Sequence, residues 1–502
     1  MSVIGSTLQA EGSKGRQALA SEKSGKANIL THSSSPHNEV TGLLQAHKNR
    51  GRWHHCDGDI RAGRIRFSNY WSLAQRRDPA FYRFGLKPAR SNYLTNWGNF
   101  DLPWCIASLL RPSVAPRSIS NMSHNSQVEI RVASSAADRL AFIRLPWSLY
   151  DQDAYWVPPV IADQKEFLDP KRGSFFEYGK AKLFLAYRGE KLIGRISAQT
   201  NSRYEHIHDP KKGFMGFFEC EDSEETVQAL TNAAEGWLKA QGKTTIEGPY
   251  SFSIYDEIGI QLDSFETAPY VMTVHNRPYY AALLESQGYS KQVDWYAYRV
   301  TYQDCFESLP KKYARVYGRI IKQGNMTLRR VNVGKGFTRD AEIIQDIFND
   351  AWNENWGHVP LTDREFRRIA KFLRLVSCPE LSLIAEVDGR PAGCSIVLYD
   401  ANEVVKKMNG KLYPFGFLKL LWGLKKTNRA RLIIMGMREQ YRGKGYDLGF
   451  YLHLIEQSQG LNLNELELSV VVETNRALLQ TLDKLPGVER YKTYRIFQKS
   501  LA

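Results

Sequence analysis

The stretch Gln440-Tyr441-Arg442-Gly443-Lys444-Gly445-Tyr446 decides the reading of this chain. An apolar run, Leu432-Ile433-Ile434-Met435-Gly436-Met437, precedes it, and a helical pattern, Leu448, Tyr451, Leu452 and Ile455, follows. A strand, a short basic glycine-rich turn and a helix form a device for holding phosphate. The glycines let backbone N–H groups converge on an anion. The helix start adds partial positive charge, and Arg442 and Lys444 add whole charges. The spacing is Q-x-x-G-x-G. It is not the G-x-x-x-x-G-K-[ST] of a nucleotide P-loop, and the third glycine of a dinucleotide fingerprint is missing. Taken alone, it also fits a strand-to-helix turn with no ligand.

The flanking segments add an order of elements. Downstream, Glu465-Leu466-Glu467-Leu468-Ser469-Val470-Val471-Val472 reads as a strand ending in Glu473-Thr474-Asn475. A helix over 477–485, a Pro486-Gly487 turn and an alternating strand over 491–497 follow. Upstream, 381–387 and 392–399 form a hairpin around Asp388-Gly389-Arg390. Hairpin, strand, phosphate loop and helix, strand, helix, strand: over 340–500 this order resembles the GNAT acyltransferase superfamily. There the Q-x-x-G-x-G loop grips the pyrophosphate of coenzyme A. The resemblance implies acyl-CoA as co-substrate.

Residues 128–303 repeat the order. Val128-Glu129-Ile130-Arg131-Val132 alternates as a strand does, and a helix over 137–150 and the loop Tyr155-Trp156-Val157-Pro158-Pro159 come next. A hairpin, 182–187 and 192–198, turns at Gly189; a strand over 213–219 leads through Ser223, an N-cap, into a helix over 224–241. A long connection, a helix over 279–287 and a strand over 294–300 close the unit. The expected fold class is α/β (α+β), with tandem GNAT-like mixed sheets and flanking helices. The first lobe spans 128–303, a linker helix and strand 304–339, and the second lobe 340–502. Where the second lobe has its glycines, the first has Cys220-Glu221-Asp222, which would repel a pyrophosphate. The first lobe is therefore expected to complete the sheet and wall an acceptor pocket, not to bind coenzyme A.

The resemblance narrows on five further stretches. These are Trp156-Val157-Pro158-Pro159, Gly194-Arg195-Ile196, Gly248-Pro249, His275-Asn276-x-Pro278-Tyr279-Tyr280 and Asn353-x-Asn355-Trp356-Gly357-x-Val359-Pro360. Together they are similar to a group of bacterial two-lobed GNAT proteins in the neighbourhood of the bacterial ceramide synthases. What this implies is an N-acyltransferase moving an acyl group, acetyl or, by preference, long-chain, from coenzyme A to an amine. The cofactor contacts carried over are Met435, Met437, Gln440, Arg442, Gly443, Lys444, Gly445, Tyr446 and Asn475. In the family the strand before the loop splays at a bulge, expected here at Gly436, and the exposed N–H of Met437 is the oxyanion donor. Asn475 reads equally as a helix N-cap. The family's tyrosine acid is replaced by Leu482, which leaves Tyr491 and Tyr494 as substitutes. For the base the candidates are His358 and Glu257, ahead of Glu473, Glu439 and Asp256. The alternative to an enzyme is a non-catalytic acyl-CoA-binding protein with degenerate lobes.

Composition sets the remaining bounds. Residues 1–127 hold 17 Lys+Arg against 7 Asp+Glu, so ten of the fifteen net positive charges lie there. That segment reads as a disordered basic extension, with Met122 as an alternative start, and it does not argue for specific nucleic-acid binding by the folded part. Six cysteines are scattered without a C-x-x-C pair, which fits a reducing compartment. Trp53-His54-His55-Cys56-Asp57 is too bunched for a zinc site, and no metal is expected. The apolar, aromatic insertion 406–426 carries lysines at both ends. It suits a peripheral contact of a cytoplasmic protein with the inner membrane face, a lid over a long acyl chain, or an element packed on the core. It tilts the acceptor toward a lipid-like amine.

Overall fold

The alternating patterns become strands whose two faces feed two helical layers. The computed structural model describes residues 127–501 apart from 302, 304–310, 413–414 and 486. The expectations for residues 1–126, including the basic extension, the Met122 start and the histidine cluster at 54–55, lie outside the described residues. So does part of the expected linker helix, whose described portion is Lys311–Gly324.

The strands are β1 (Val128–Val132), β2 (Gly179–Arg188), β3 (Lys191–Asn201), β4 (Lys212–Cys220), β5 (Thr245–Gly248), β6 (Ile260–Gln261) and β7 (Ser290–Thr301) in the first half. The second half supplies β8 (Met326–Arg330), β9 (Leu383–Val387), β10 (Arg390–Tyr399), β11 (Arg429–Met437), β12 (Glu465–Val472) and β13 (Val488–Ser500). They form one sheet in the order β1-β2-β3-β4-β5-β13-β7-β12-β11-β10-β9-β8, with β6 on β13.

The tandem reading holds, with one addition. Each half does not keep its own last strand. β13 is inserted between β5 and β7 of the first half, and β7 pairs with β12 of the second. Both strands are buried on alternate faces by side chains such as Trp295, Tyr494, Ile496 and Phe497. The sheet therefore cannot be divided at the linker without stripping those residues of their partners.

Period-two alternation sorts side chains between layers. In β2, Leu183 and Leu185 face the helices Ala136–Leu149 and Ile161–Phe167, while Phe184 and Ala186 face Glu224–Ala240. In the second half, Ile396, Leu398, Ile433 and Ile434 pack under Phe337–Ala351 and Asp363–Val376. Leu432, Met435 and Met437 pack on the other face, under Leu448–Ser458 and Arg476–Leu482. Side-chain caps start these helices: Ser223 accepts from Thr226 N–H, and Thr362 with Glu365 forms a capping box.

Candidate active site

Two neighbouring strand pairs are parallel, one in each half, and both are short. β4 pairs with β5 through Lys212–Thr245, Gly213–Ile246 and Phe214–Glu247 only. β11 pairs with β12 from Arg429–Glu465 to Leu432–Leu468 only. Beyond those points each pair diverges into a V.

The V of the first half is filled. The backbone of Tyr250 donates to Met215 O at 2.8 Å, and Gly216 lies so close to Tyr250 O that a Cβ there would sit 1.7 Å away. Phe252 then stacks on Phe175 with centroids 4.3 Å apart. The acidic turn Cys220-Glu221-Asp222 is thus the second obstacle to a cofactor in this lobe, and the aromatic plug is the first.

The V of the second half is open at its strand edge. Arg438 donates its N–H to Ala392 O on the neighbouring strand β10. N–H groups alternate sides along a strand, so those of Met437 and Met435 point to the edge that β12 has left. Their side chains are buried in the core beneath, Met437 against Gly393. The bulge expected at Gly436 lies elsewhere. Gly436 pairs regularly with Cys394, and the register shifts at Ile433, between the Ile396–Ile434 and Val397–Leu432 pairs. Gly436 is needed for another reason: a Cβ would stand 2.5 Å from the ring of Trp352, which lies over it.

After a turn of 3-10 helix, Glu439–Tyr441, the chain enters the loop. Gly443 and Gly445 have φ of +71° and +79°, the left-handed region that favours glycine. At Gly443 nothing lies within 4 Å of a Cβ; at Gly445 it would meet Ile320 of Lys311–Gly324 at 2.7 Å. The linker helix therefore backs the loop. None of the N–H groups of Gly443, Lys444, Gly445 and Tyr446 is bonded to another described residue. Four adjacent free donors in αL-rich backbone are a nest for an anion. Gln440 and Lys444 are exposed beside it. Arg442 is occupied differently: its guanidinium donates to Ala351 O at 2.7 Å and Met437 O at 3.3 Å, tying the loop to the helix Phe337–Ala351 and to β11. Asn475 caps Arg476–Leu482, accepting from Leu478 N–H at 3.3 Å. Leu482 is fully buried core. Tyr491 is buried and donates to Glu467, and Tyr494 is buried beside it, so neither faces open space.

The base candidates part company. His358 is 2 % exposed and lies in the interlobe core, with Nδ1 on the Tyr255 hydroxyl and its carbonyl accepting from His208. Burial, with the nearby charges of His208 and Arg203, pushes its pKa down to about 4, so it is neutral at pH 7. Glu257 is open to solvent yet hemmed in by protein, the signature of a group lining a cleft. That enclosure pushes its carboxyl up to about 6, against the pull of Arg195 and with the push of Glu219 and Asp256. Asp256 is held by Arg368 at 2.6 Å, and Glu473 by Lys291 at 2.6 Å.

Around Glu257 the folded chain gathers residues that the motif stretches scatter. Glu219, buried at the end of β4, accepts from the hydroxyls of Tyr150 at 2.8 Å and Tyr280 at 2.6 Å. Arg195 lies 3.8 Å from it and donates to Phe142 O. Trp156 stacks on Tyr150 at 5.1 Å, and His275 reaches Asp153 at 3.3 Å. Sequence reasoning quoted Trp156, Arg195, His275 and Tyr280 without a role, and missed Glu219 and Tyr150. The available signal was Glu219 itself, an acid closing the otherwise apolar run Gly213–Cys220.

The insertion forms two helices, Asn402–Met408 and Gly416–Leu424. Met408, Leu420 and Leu424 pack into the core. The outer face is bare: Phe415 is 67 % and Trp422 76 % exposed, with Phe417, Leu418 and Leu421 between them. Lys411, Lys419, Lys425 and Lys426 are exposed around it. The turn between the helices is anchored to the first half, Trp147 donating to Asn409 at 2.6 Å and Ile161 to Gly410 at 3.1 Å. Among the described residues no cluster could hold a metal ion, and no helix is long and apolar enough to cross a membrane.

No protein-family model matches the chain. It is 33% identical over 386 residues to the bacterial ceramide synthase of Caulobacter vibrioides (strain NA1000 / CB15N), covering 76% of this chain and 99% of that protein. It is 32% identical over 378 residues to Protein YghO of Escherichia coli (strain K12), covering 74% and 95%. Among solved structures, the tandem GNAT protein from the clavulanic acid biosynthesis pathway aligns with a TM-score of 0.45 at 11% identity, over 75% of this chain and 99% of that one. With two relatives matched over nearly their whole length, the chain belongs to the GNAT acyltransferase superfamily, in the family of the bacterial ceramide synthase and YghO.

Proposed function

We propose that the protein transfers an acyl group from coenzyme A to the amine of a lipid-like acceptor held between the halves. The observation that carries this is the run of free N–H groups at Gly443–Tyr446, placed where β11 leaves β12. A pyrophosphate fits such a nest, with Lys444 and Gln440 beside it and Asn475 across the V. The Met437 N–H stands where a thioester oxygen would accumulate charge.

Glu257 is the better base. The amine must be neutral to attack, and Glu257 takes its proton. The freed nitrogen lone pair forms the C–N bond as the C–S bond breaks, and the second proton, lost by the nitrogen as the amide forms, passes through solvent to the departing coenzyme A thiolate. His358 is buried and too weakly basic for this role. The bare face at Phe415–Trp422 with its lysines fits contact with an anionic membrane, from which an amphiphilic amine would enter. Bacterial ceramide synthase, the name of one relative, points to a long-chain amine of that kind.

The test is coenzyme A release from acetyl- and palmitoyl-CoA in the presence of a long-chain amine. Release that depends on the amine supports the proposal. Binding of acyl-CoA without release would leave an acyl-CoA-binding protein and sink the transferase mechanism.

A further inference from the structure

The tongue that plugs the first V also carries Glu257. Tyr250 pairs with Ile258 across it, and Ser251 donates its N–H to Glu257 O at 2.8 Å. The tongue lies along β4. Tyr250 donates to Met215 O, and Phe252 meets Phe217 edge-on at 5.1 Å. Two residues beyond Phe217 on the same strand is Glu219. Its direct cross-strand partner on β3 is Arg195, a cation that acts on both Glu219 and Glu257.

The two acids are supported unequally. Tyr150, which ends the helix Ala136–Leu149, and Tyr280, which opens the helix Tyr280–Ser286, both donate to Oε2 of Glu219, at 2.8 and 2.6 Å. Arg195 faces Oε1 at 3.8 Å. Trp156 stacks on the Tyr150 ring, and Arg277 lies over it at 4.9 Å. Burial pushes both hydroxyls far above neutral pH, so they stay protonated and donate. Burial also pushes the Glu219 carboxyl up, and Arg195 and the two hydroxyls oppose that. With three donors aimed at it, the form this site accommodates is the carboxylate. Glu257 has a looser setting: Ser251 Oγ lies 3.5 Å from its carboxylate, and the adjacent Asp256 is taken by Arg368.

We infer that Glu219, held by Tyr150 and Tyr280, is a positioning residue that balances the charge of Arg195 and so keeps Arg195 from silencing Glu257. The inference rests on Glu257 as the base of the proposed function and deepens it. The physics is a competition for one buried cation. A carboxylate pulled by an unbalanced guanidinium is a poor proton acceptor. With Glu219 opposite it in the ladder, Arg195 is compensated within the sheet, and the neighbouring carboxylate is left free to take a proton. Trp156, Arg195 and Tyr280, which the motif stretches single out, thereby share one task from three separate segments.

The experiment has two readouts on the full chain. One is an NMR titration of carboxyl-labelled glutamates, in which Glu257 is the signal missing from Glu257→Gln. The other is the pH dependence of kcat for coenzyme A release from palmitoyl-CoA with dodecylamine. In Glu219→Gln the Glu257 carboxyl should titrate about half a pH unit or more below its wild-type position, and the rising limb of kcat should move with it. Tyr150→Phe removes one donor and favours protonation of Glu219, so it should shift both readouts the same way by less. It is the variant that decides should Glu219→Gln fail to fold. Arg195→Met should move both readouts to higher pH, because the pull lost exceeds the push of Glu219. A folded Glu219→Gln, or in its place Tyr150→Phe, whose Glu257 carboxyl titrates as in wild type overturns the inference. So does a downward shift in Arg195→Met, which would mark general disruption of the cleft. If the carboxyl moves as expected while the kcat limb stays, the balance of charges stands, and the assignment of Glu257 as base is what fails.

Discussion

The two parallel strand pairs start alike and end differently. β4 and β5 hold together for three residue pairs, β11 and β12 for four, and then both diverge. In the first half Tyr250 and Phe252 close the gap, and the following turn is acidic. In the second half the gap stays open and ends in a glycine loop with free donors. The same divergence serves packing in one place and, in the function proposed above, ligand binding in the other. The backbone topology offers a site, and a few side chains decide whether it is used.

Phe252→Ala tests the plug most severely. Phe252 is 4 % exposed and touches Phe175, Phe176, Phe167 and Phe217. Truncation should destabilise the protein by about 3–5 kcal/mol, read by urea unfolding. Coenzyme A should still bind once per chain; a second equivalent would break the contrast, because the first V would then have been a latent site.

Glu257→Gln sharpens the division of labour between halves. If the first half supplies the base, kcat should fall by about 10²- to 10⁴-fold with acyl-CoA affinity unchanged. Wild-type activity should rise with pH through about 6, as Glu257 ionises, and the variant should lose that limb. A limb near 4 would instead follow His358.

Gly443→Asp probes the open V alone. The site has room for a side chain, and aspartate tolerates the positive φ better than most residues. The added charge should weaken acyl-CoA binding by about a hundredfold, while the melting temperature moves by only a few degrees. Equal losses of stability and binding would make the loop a structural turn.

The smallest expected effect is at the insertion. Phe415→Ser with Trp422→Ser removes the two most exposed rings. Partition onto vesicles containing anionic lipid should drop about tenfold, by loss of buried apolar surface, with unfolding unchanged. Unaltered partition would return this face to solvent.

Much of the second half was readable. The strand Glu465–Val472 was bounded correctly to the residue, and the Q-x-x-G-x-G turn lies where the preceding strand and following helix put it. These features are local: turn residues, period and caps act within a few positions. Gly436 shows the limit. Its presence in an apolar strand was evident, but the reason is Trp352, distant in sequence, and the bulge belongs to Ile433. Tyr250 and Phe252 looked like loop residues because nothing in their spacing says that they fill a gap between β4 and β5.

The sequence by itself determined the strands and helices around the glycine-rich turn Gln440–Tyr446, the lack of such glycines in the first half, and the superfamily. Tertiary structure alone decided which strands the halves exchange, where Glu219, Arg195, Tyr150, Tyr280 and Glu257 meet, and that His358 is buried and neutral while Glu257 lines a cleft. The physical reason is range. Backbone conformation and hydrophobic period are set by neighbours in the chain, whereas burial, pKa and pocket shape depend on what other segments bring to the same place.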